Sequence, residues 1–276
     1  MTIEATEVRI RGVPLHRLIL KPKSPLKGGL LFFHGQGDFI DRYPPILELF
    51  VKAGFQCLLT DLPGHGRSPG KRGHVPGLDF VDALCDQSLE HLKDPLVIAG
   101  HSMGGLMALR LFLLQPERFH AMWVSSPLLG ILDRKSPLLA KLLPLLAKLL
   151  PKLTIGTGVT SYQCGDYGGQ PRREPPETAA LYHSRISLSW GLELHQACQY
   201  VWREIRKTPP RTPLLVTQGE EDVICPPDVL ENLLEKTSVQ EAHLELIPGA
   251  RHEPFSGASR EEFLERLHHW IEKTLS

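Results

Sequence analysis

The chain has no excess of either charge. Its 276 residues carry 31 Lys plus Arg against 31 Asp plus Glu, so there is no global electrostatic case for nucleic acid or a strongly acidic partner. Cysteine is sparse and unpaired. The five residues, at 57, 85, 164, 198 and 225, are odd in number and form no C-x-x-C. That argues against a disulfide framework or a thiolate metal site and predicts a reducing, cytoplasmic setting. The N-terminus has two acids, Glu4 and Glu7, and no apolar segment behind them, so no secretory signal is expected there. No apolar run approaches the roughly 18 residues that a bilayer-spanning helix needs.

What is present is ordinary globular material, 42% hydrophobic and 22% charged, enough for one large domain or two small ones. A strand pair is expected at 6–10 and 15–20, around Gly12-Val13-Pro14. From there the pattern alternates. Short apolar strands are predicted at 29–33, 55–60, 95–99, 121–124, 213–217 and 242–247. Helices are predicted at 44–53, 80–92, 106–114, 228–236 and 260–275. Alternation of this kind implies an α/β fold, with a mostly parallel sheet covered on both faces.

Residues 125–210 break the rhythm. They hold a repeat: Pro137-Leu-Leu-Ala-Lys-Leu-Leu143, then Pro144-Leu-Leu-Ala-Lys-Leu-Leu150, then Pro151-Lys-Leu153. On a helical wheel Lys141, Lys148 and Lys152 fall within about 40° of one another, beside a leucine arc of about 160°. The prolines predict two or three short helical pieces rather than one rod. Residues 156–176, rich in Gly, Pro and Arg, read as a mobile loop.

Chemistry centres on Gly100-His-Ser-Met-Gly-Gly105. A strand before it and a helix after it put Ser102 at the apex of a sharp turn, with glycines where bulk would collide: a nucleophile elbow. A serine hydroxyl needs an imidazole to take its proton and a carboxylate to orient that imidazole. With an elbow the order along the chain is Ser, acid, His. The acid is expected in Gln218-Gly-Glu-Glu-Asp222, after a strand. Asp222 is the candidate because it leads back into apolar Val223-Ile224, and Glu220 and Glu221 are its competitors. The base is expected after the last strand, where His252 lies in a loop. His243, His268 and His269 read as surface or half-buried histidines. The oxyanion of an acyl transfer would be met by the N–H of Met103 and by the N–H of Gln36 in His34-Gly-Gln-Gly37. Asp61-Leu-Pro-Gly-His-Gly-Arg-Ser68 lacks the Lys-Ser/Thr of a phosphate loop and reads as a structural turn. His65 and His74 have no carboxylate or cysteine at ligand spacing, so neither a metal nor a cofactor is expected.

Together these pieces resemble the α/β-hydrolases, in the branch that holds monoacylglycerol lipases and lysophospholipases and borders on proline-iminopeptidase-like peptidases. The resemblance rests on 34–37, 61–68, 100–105, Gly219-Glu-Glu-Asp222 and Ala250-Arg-His252-Glu253, in family order. It implies an eight-stranded sheet with one antiparallel strand near the start. It also implies a helical cap inserted after the sixth strand, giving a core of 1–126 and 211–276 and a cap of 127–210. Two features depart from the family pattern: Asp38-Phe39-Ile40 after the H-G-x-G, and the doubled leucine unit.

The activity expected is hydrolysis of carboxylic esters with apolar acyl chains through an acyl-enzyme. The acyl pocket is sought around Leu138, Leu142 and Leu146. The lysine row either serves a lipid surface, making the chain a peripheral membrane binder, or simply faces water while the leucines pack on the body. Two other readings are kept. A serine aminopeptidase would need a cap carboxylate, with Glu174, Glu177 and Glu193 available. A non-catalytic binding protein would use the same scaffold without turnover.

Overall fold

A computed structural model of the chain describes residues 1–130, 137–165, 176–205, 212–235 and 242–275. In chain order the elements are β1 (Thr2–Ile10), β2 (Val13–Lys21), β3 (Gly28–Phe33), α1 (Pro44–Lys52), β4 (Phe55–Thr60), α2 (Leu78–Leu89), β5 (Leu96–His101), α3 (Met103–Leu114) and β6 (Ala121–Ser125). Then come α4 (Pro137–Leu149), β7 (Thr154–Gly156), α5 (Ser161–Cys164), α6 (Pro176–Ala179), β8 (Arg185–Ser187) and α7 (Leu188–Glu204). The chain closes with β9 (Leu214–Gly219), α8 (Pro227–Glu235), β10 (Ala242–Ile247) and α9 (Arg260–Leu275).

Eight strands form one sheet in the order β1-β2-β4-β3-β5-β6-β9-β10. Strand β2 runs antiparallel to both β1 and β4, and every other pairing is parallel. Successive side chains of a strand point to opposite faces, and the central strands are apolar on both. Leu31, Phe33 and Ile98 join the cluster under α2, α3, α7 and α8. Leu30, Phe32, Val97 and Ala99 join the cluster under α1 and α9. The chain leaves β3 towards β4 on one side and returns to β5 on the other. The sheet therefore has its switch point at β3, with a crevice at the carboxyl ends of β3 and β5.

Between β6 and β9 lie α4 to α7 and the two-stranded β7-β8 ladder, outside the main sheet. The expectation of two or three broken helical pieces is corrected: α4 is one helix through Pro144 and stops two residues before Pro151. A proline inside a helix removes a single hydrogen bond. Here the ring is exposed, and Leu143, Leu146 and Ala147 pack on Leu188 and Leu192 of α7, which holds the helix together. Helix α7 itself was not anticipated. Its signal is Trp190, Leu194, Ala197, Cys198 and Val201 at helical spacing behind the N-cap Ser187, whose Oγ accepts from Trp190 N at 3.3 Å. Lys236, residues 166–175 of the expected loop and the side chain of Leu138 lie outside the described residues.

Candidate active site

Ser102 occupies the turn between β5 and α3 with φ 55° and ψ −117°, a conformation that non-glycine residues rarely adopt. Its N–H donates to Ser125 O at 2.9 Å, and its carbonyl accepts from Leu106 N and Leu128 N. The flanking glycines are steric necessities. A Cβ on Gly100 would sit 2.3 Å from Gly104 O, and one on Gly104 would sit 2.0 Å from Phe33 O. The turn is this tight because β3, β5 and α3 meet there.

Three loops at the carboxyl ends of β5, β9 and β10 bring Ser102, Asp222 and His252 together. His252 Nε2 lies 2.9 Å from Ser102 Oγ, and His252 Nδ1 lies 2.8 Å from Asp222 Oδ2. A carboxylate only accepts, so Nδ1–H donates to it and Nε2 is left to accept from the serine hydroxyl. Asp222 is held from all sides: Oδ1 accepts from Ile224 N and Cys225 N, and Oδ2 also accepts from Gln218 Nε2. Burial pushes its pKa up, but the facing His252 and these amides outweigh burial and bring it below the usual carboxylate value. For His252, burial pulls the pKa down, while Asp222 and the neighbouring Cys225 outweigh it and raise it well above the ordinary imidazole value. Glu220 and Glu221 are exposed. His243 lies on β10, and His268 and His269 lie on α9, away from the serine.

The loop after β3 passes over the serine. The Cβ direction of Gly35 ends 3.5 Å from Ser102 Cβ. Gly37 has φ 77°, and a Cβ there would lie 1.8 Å from His183 O, so this loop is pressed against the 183–190 segment. Gln36 borders the cavity above Ser102. Met103 is the first residue of α3, where a backbone N–H has no intrahelical acceptor.

That cavity holds about 310 Å³. Its apolar wall comes from Leu128, Ile155, Val159, Ile186, Leu194 and Ile224. Leu142 and Leu146 are not among its lining residues. Helix α4 leaves Leu142 44% exposed and packs Leu146 towards α7. Among the described residues Asp222, Cys225 and His252 are the one group of metal-ligand type, their ligand atoms within 4.8 Å of one another. Two of them are already hydrogen-bonded to each other.

Several residues around the site were not singled out from the sequence. Arg42 sits between two loops, its Nη1 donating to Asp38 Oδ2 at 2.6 Å and its Nη2 to Glu253 Oε2 at 2.7 Å. Tyr43 OH donates to the same Asp38 oxygen at 2.6 Å. His101 is buried beside His252, its pKa pushed down to about 3 by burial first and the neighbouring imidazole second. Arg42 and Tyr43 carry no motif of their own, and the Glu253 partner of Arg42 is 211 residues away.

The sheet order, the strained serine after β5 and the Ser–His–Asp line define an α/β-hydrolase. A family model described as serine aminopeptidase, S33 (Hydrolase_4) matches residues 24–257, and the chain belongs to that family. The monoacylglycerol lipase of Mycolicibacterium smegmatis is 27% identical, over 95% of this chain and 94% of its own. The phospholipase YtpA of Bacillus subtilis is 26% identical, over 84% and 90%. The crystal structure of Paleococcus ferrophilus monoacylglycerol lipase superposes with a TM-score of 0.84 at 28% identity, covering 94% of this chain and 99% of that one.

Proposed function

We propose that Ser102 attacks the acyl carbon of a carboxylic ester while His252 takes its proton and Asp222 keeps the imidazole oriented. The N–H groups of Gln36 and Met103 receive the oxyanion. The protonated His252 then gives its proton to the departing alcohol. Water, deprotonated by the same histidine, releases the acid and restores the serine. The chain is a carboxylic ester hydrolase of the monoacylglycerol lipase and esterase type. The observation that carries the residue assignment is the unbroken line from Ser102 Oγ to His252 (2.9 Å) and on to Asp222 (2.8 Å) beneath an apolar cavity.

The substrate class follows from the walls. Six aliphatic side chains line the cavity, and each buried methylene of an acyl chain gains about 0.8 kcal/mol. Esters of glycerol or of a lysophospholipid with a medium or long chain fit this best. An aminopeptidase needs an acid facing the substrate's ammonium. The acids in the described cavity wall, Asp38 and Glu253, are both bound to Arg42. Glu177 is exposed, and Glu193 accepts from Leu78 N.

We further propose that the insertion of 127–210 acts as a cap that meets lipid. Leu142, Leu145, Leu149, Leu150 and Leu153 are 44–65% exposed, with Lys141, Lys148 and Lys152 exposed among them. A greasy, basic face suits the interface of an anionic bilayer. No helix among the described residues is long and apolar enough to cross one. The five cysteines are all buried and none is in a disulfide, which suits a reducing, cytoplasmic setting.

Rates on monoacylglycerols, lysophospholipids, p-nitrophenyl esters of graded length and proline p-nitroanilide test the substrate reading. Turnover is expected on the esters, rising with chain length; turnover confined to the anilide overturns it. Replacing Leu145 and Leu149 by Ser should weaken sedimentation with anionic vesicles while leaving turnover of a soluble ester within about twofold.

A further inference from the structure

Trp190 stands where the insertion meets both of the loops that face the serine. Its indole Nε1–H donates to Gln36 Oε1 at 3.0 Å and lies 3.3 Å from Met103 Sδ. The other end of the same Gln36 side chain donates from Nε2 to Arg185 O at 2.7 Å. One residue on, Gly37 O accepts from His183 N at 2.9 Å. The oxyanion loop is therefore fastened at three points to the 183–190 segment, and one indole touches both residues whose N–H groups would meet the oxyanion. Trp190 is wholly buried, in the cluster that also holds Met103, Leu106 and Leu194. It is part of the body rather than of an outer flap.

We propose that Trp190 is a positioning residue for the oxyanion hole, acting through the side chain of Gln36. The proposal rests on reading the Gln36 and Met103 N–H groups as the oxyanion donors. Such donors stabilise the transition state only within about 2.7–3.1 Å of the developing charge. A loop between two glycines does not keep that geometry unaided. Gln36 has a long side chain with considerable rotamer freedom, and the two hydrogen bonds of its amide group to the insertion remove that freedom. The indole N–H meets Gln36 and Met103 and, among the described residues, no member of the triad; a phenyl ring would fill much of the same space. The segment 183–190 is thereby assigned a second task besides walling the cavity. It sets the oxyanion loop, so a change in the insertion is felt in the rate of the chemical step.

The test is a double-mutant cycle. Trp190→Phe keeps a ring and loses the donor; Gln36→Met keeps the length and loses the acceptor. Each is assayed on soluble p-nitrophenyl butyrate beside the wild-type protein, with thermal midpoints measured in parallel. In each single variant kcat should fall about tenfold with KM within about twofold, and the double variant should fall no further than the worse single one. A Trp190→Phe kcat within about twofold of wild type overturns the proposal, as do losses that multiply in the double variant. Should Trp190→Phe fail to fold, Gln36→Met alone decides, and an unchanged kcat there overturns it equally. Failure of the underlying reading looks different: a wild-type protein whose Ser102 takes no fluorophosphonate label would remove the serine hydrolase assignment itself.

Discussion

Ser102 is held at φ 55° because everything around it leaves no alternative. Strain of this kind stores about 1–3 kcal/mol at a single residue, and the close approaches at Gly100 and Gly104 show what holds it. In the proposed mechanism the partner histidine sets the pH behaviour. His252 has its pKa raised above the ordinary 6.5, since Asp222 and Cys225 outweigh burial. A base works only without its proton, so kcat/KM should rise with pH along a limb whose midpoint lies above 6.5; a midpoint below that value contradicts the coupling to Asp222. The linkage runs the other way for stability. A raised histidine contributes most below its unfolded value, and that contribution disappears as pH climbs through the folded one. The neighbouring His101, down at about 3, and His183, down at about 4, both chiefly through burial, stay neutral throughout this range.

At the scale of elements, the site is three loops tied to one another by groups that do no chemistry. Arg42, just before α1, bridges Asp38 of the loop after β3 and Glu253 of the histidine loop, its side chain 13% exposed and theirs 5%. Removing one partner of a buried ionic cluster leaves the others uncompensated. Arg42→Ala should therefore destabilise by about 3–5 kcal/mol in urea unfolding, whereas a loss under 1 kcal/mol would mean the two carboxylates are hydrated. The insertion binds the same loops from above: Cys164 O accepts from Glu253 N at 2.6 Å, and Gln36 reaches Arg185. These ties explain what could and could not be read in advance. Ser102, Asp222 and His252 were legible because elbow geometry and chain order leave each a defined slot. Arg42, Trp190 and His183 were not, because each is defined by a partner more than a hundred residues away, such as Glu253, Gln36 and Gly64.

For the whole molecule, the β–α alternation was legible because the central strands are apolar on both faces and the helices that cover the sheet bury apolar residues against it. The strand Phe55–Thr60 and the helix Arg260–Leu275 follow directly from that pattern. The elements inside the segment between β6 and β9 were not legible, although the break in rhythm there was. Its described elements are short except α4 and α7, and α7 packs partly on the main body and partly on α4. The division has an energetic consequence. Leu194 of α7 belongs to the main cluster and is fully buried, whereas Leu146 of α4 packs on the small outer one. Leu194→Ala should cost about 2–5 kcal/mol in urea unfolding and Leu146→Ala clearly less; equal costs would mean that α4 and α7 form one unit. The central claim is that Ser102 carries the acyl group. It is tested most directly by Ser102→Ala, assayed for hydrolysis of a p-nitrophenyl ester and labelled with a fluorophosphonate, with folding checked by circular dichroism. Both activities should vanish while the fold persists. A folded Ser102→Ala protein that still turns over the ester at the wild-type rate would contradict the account.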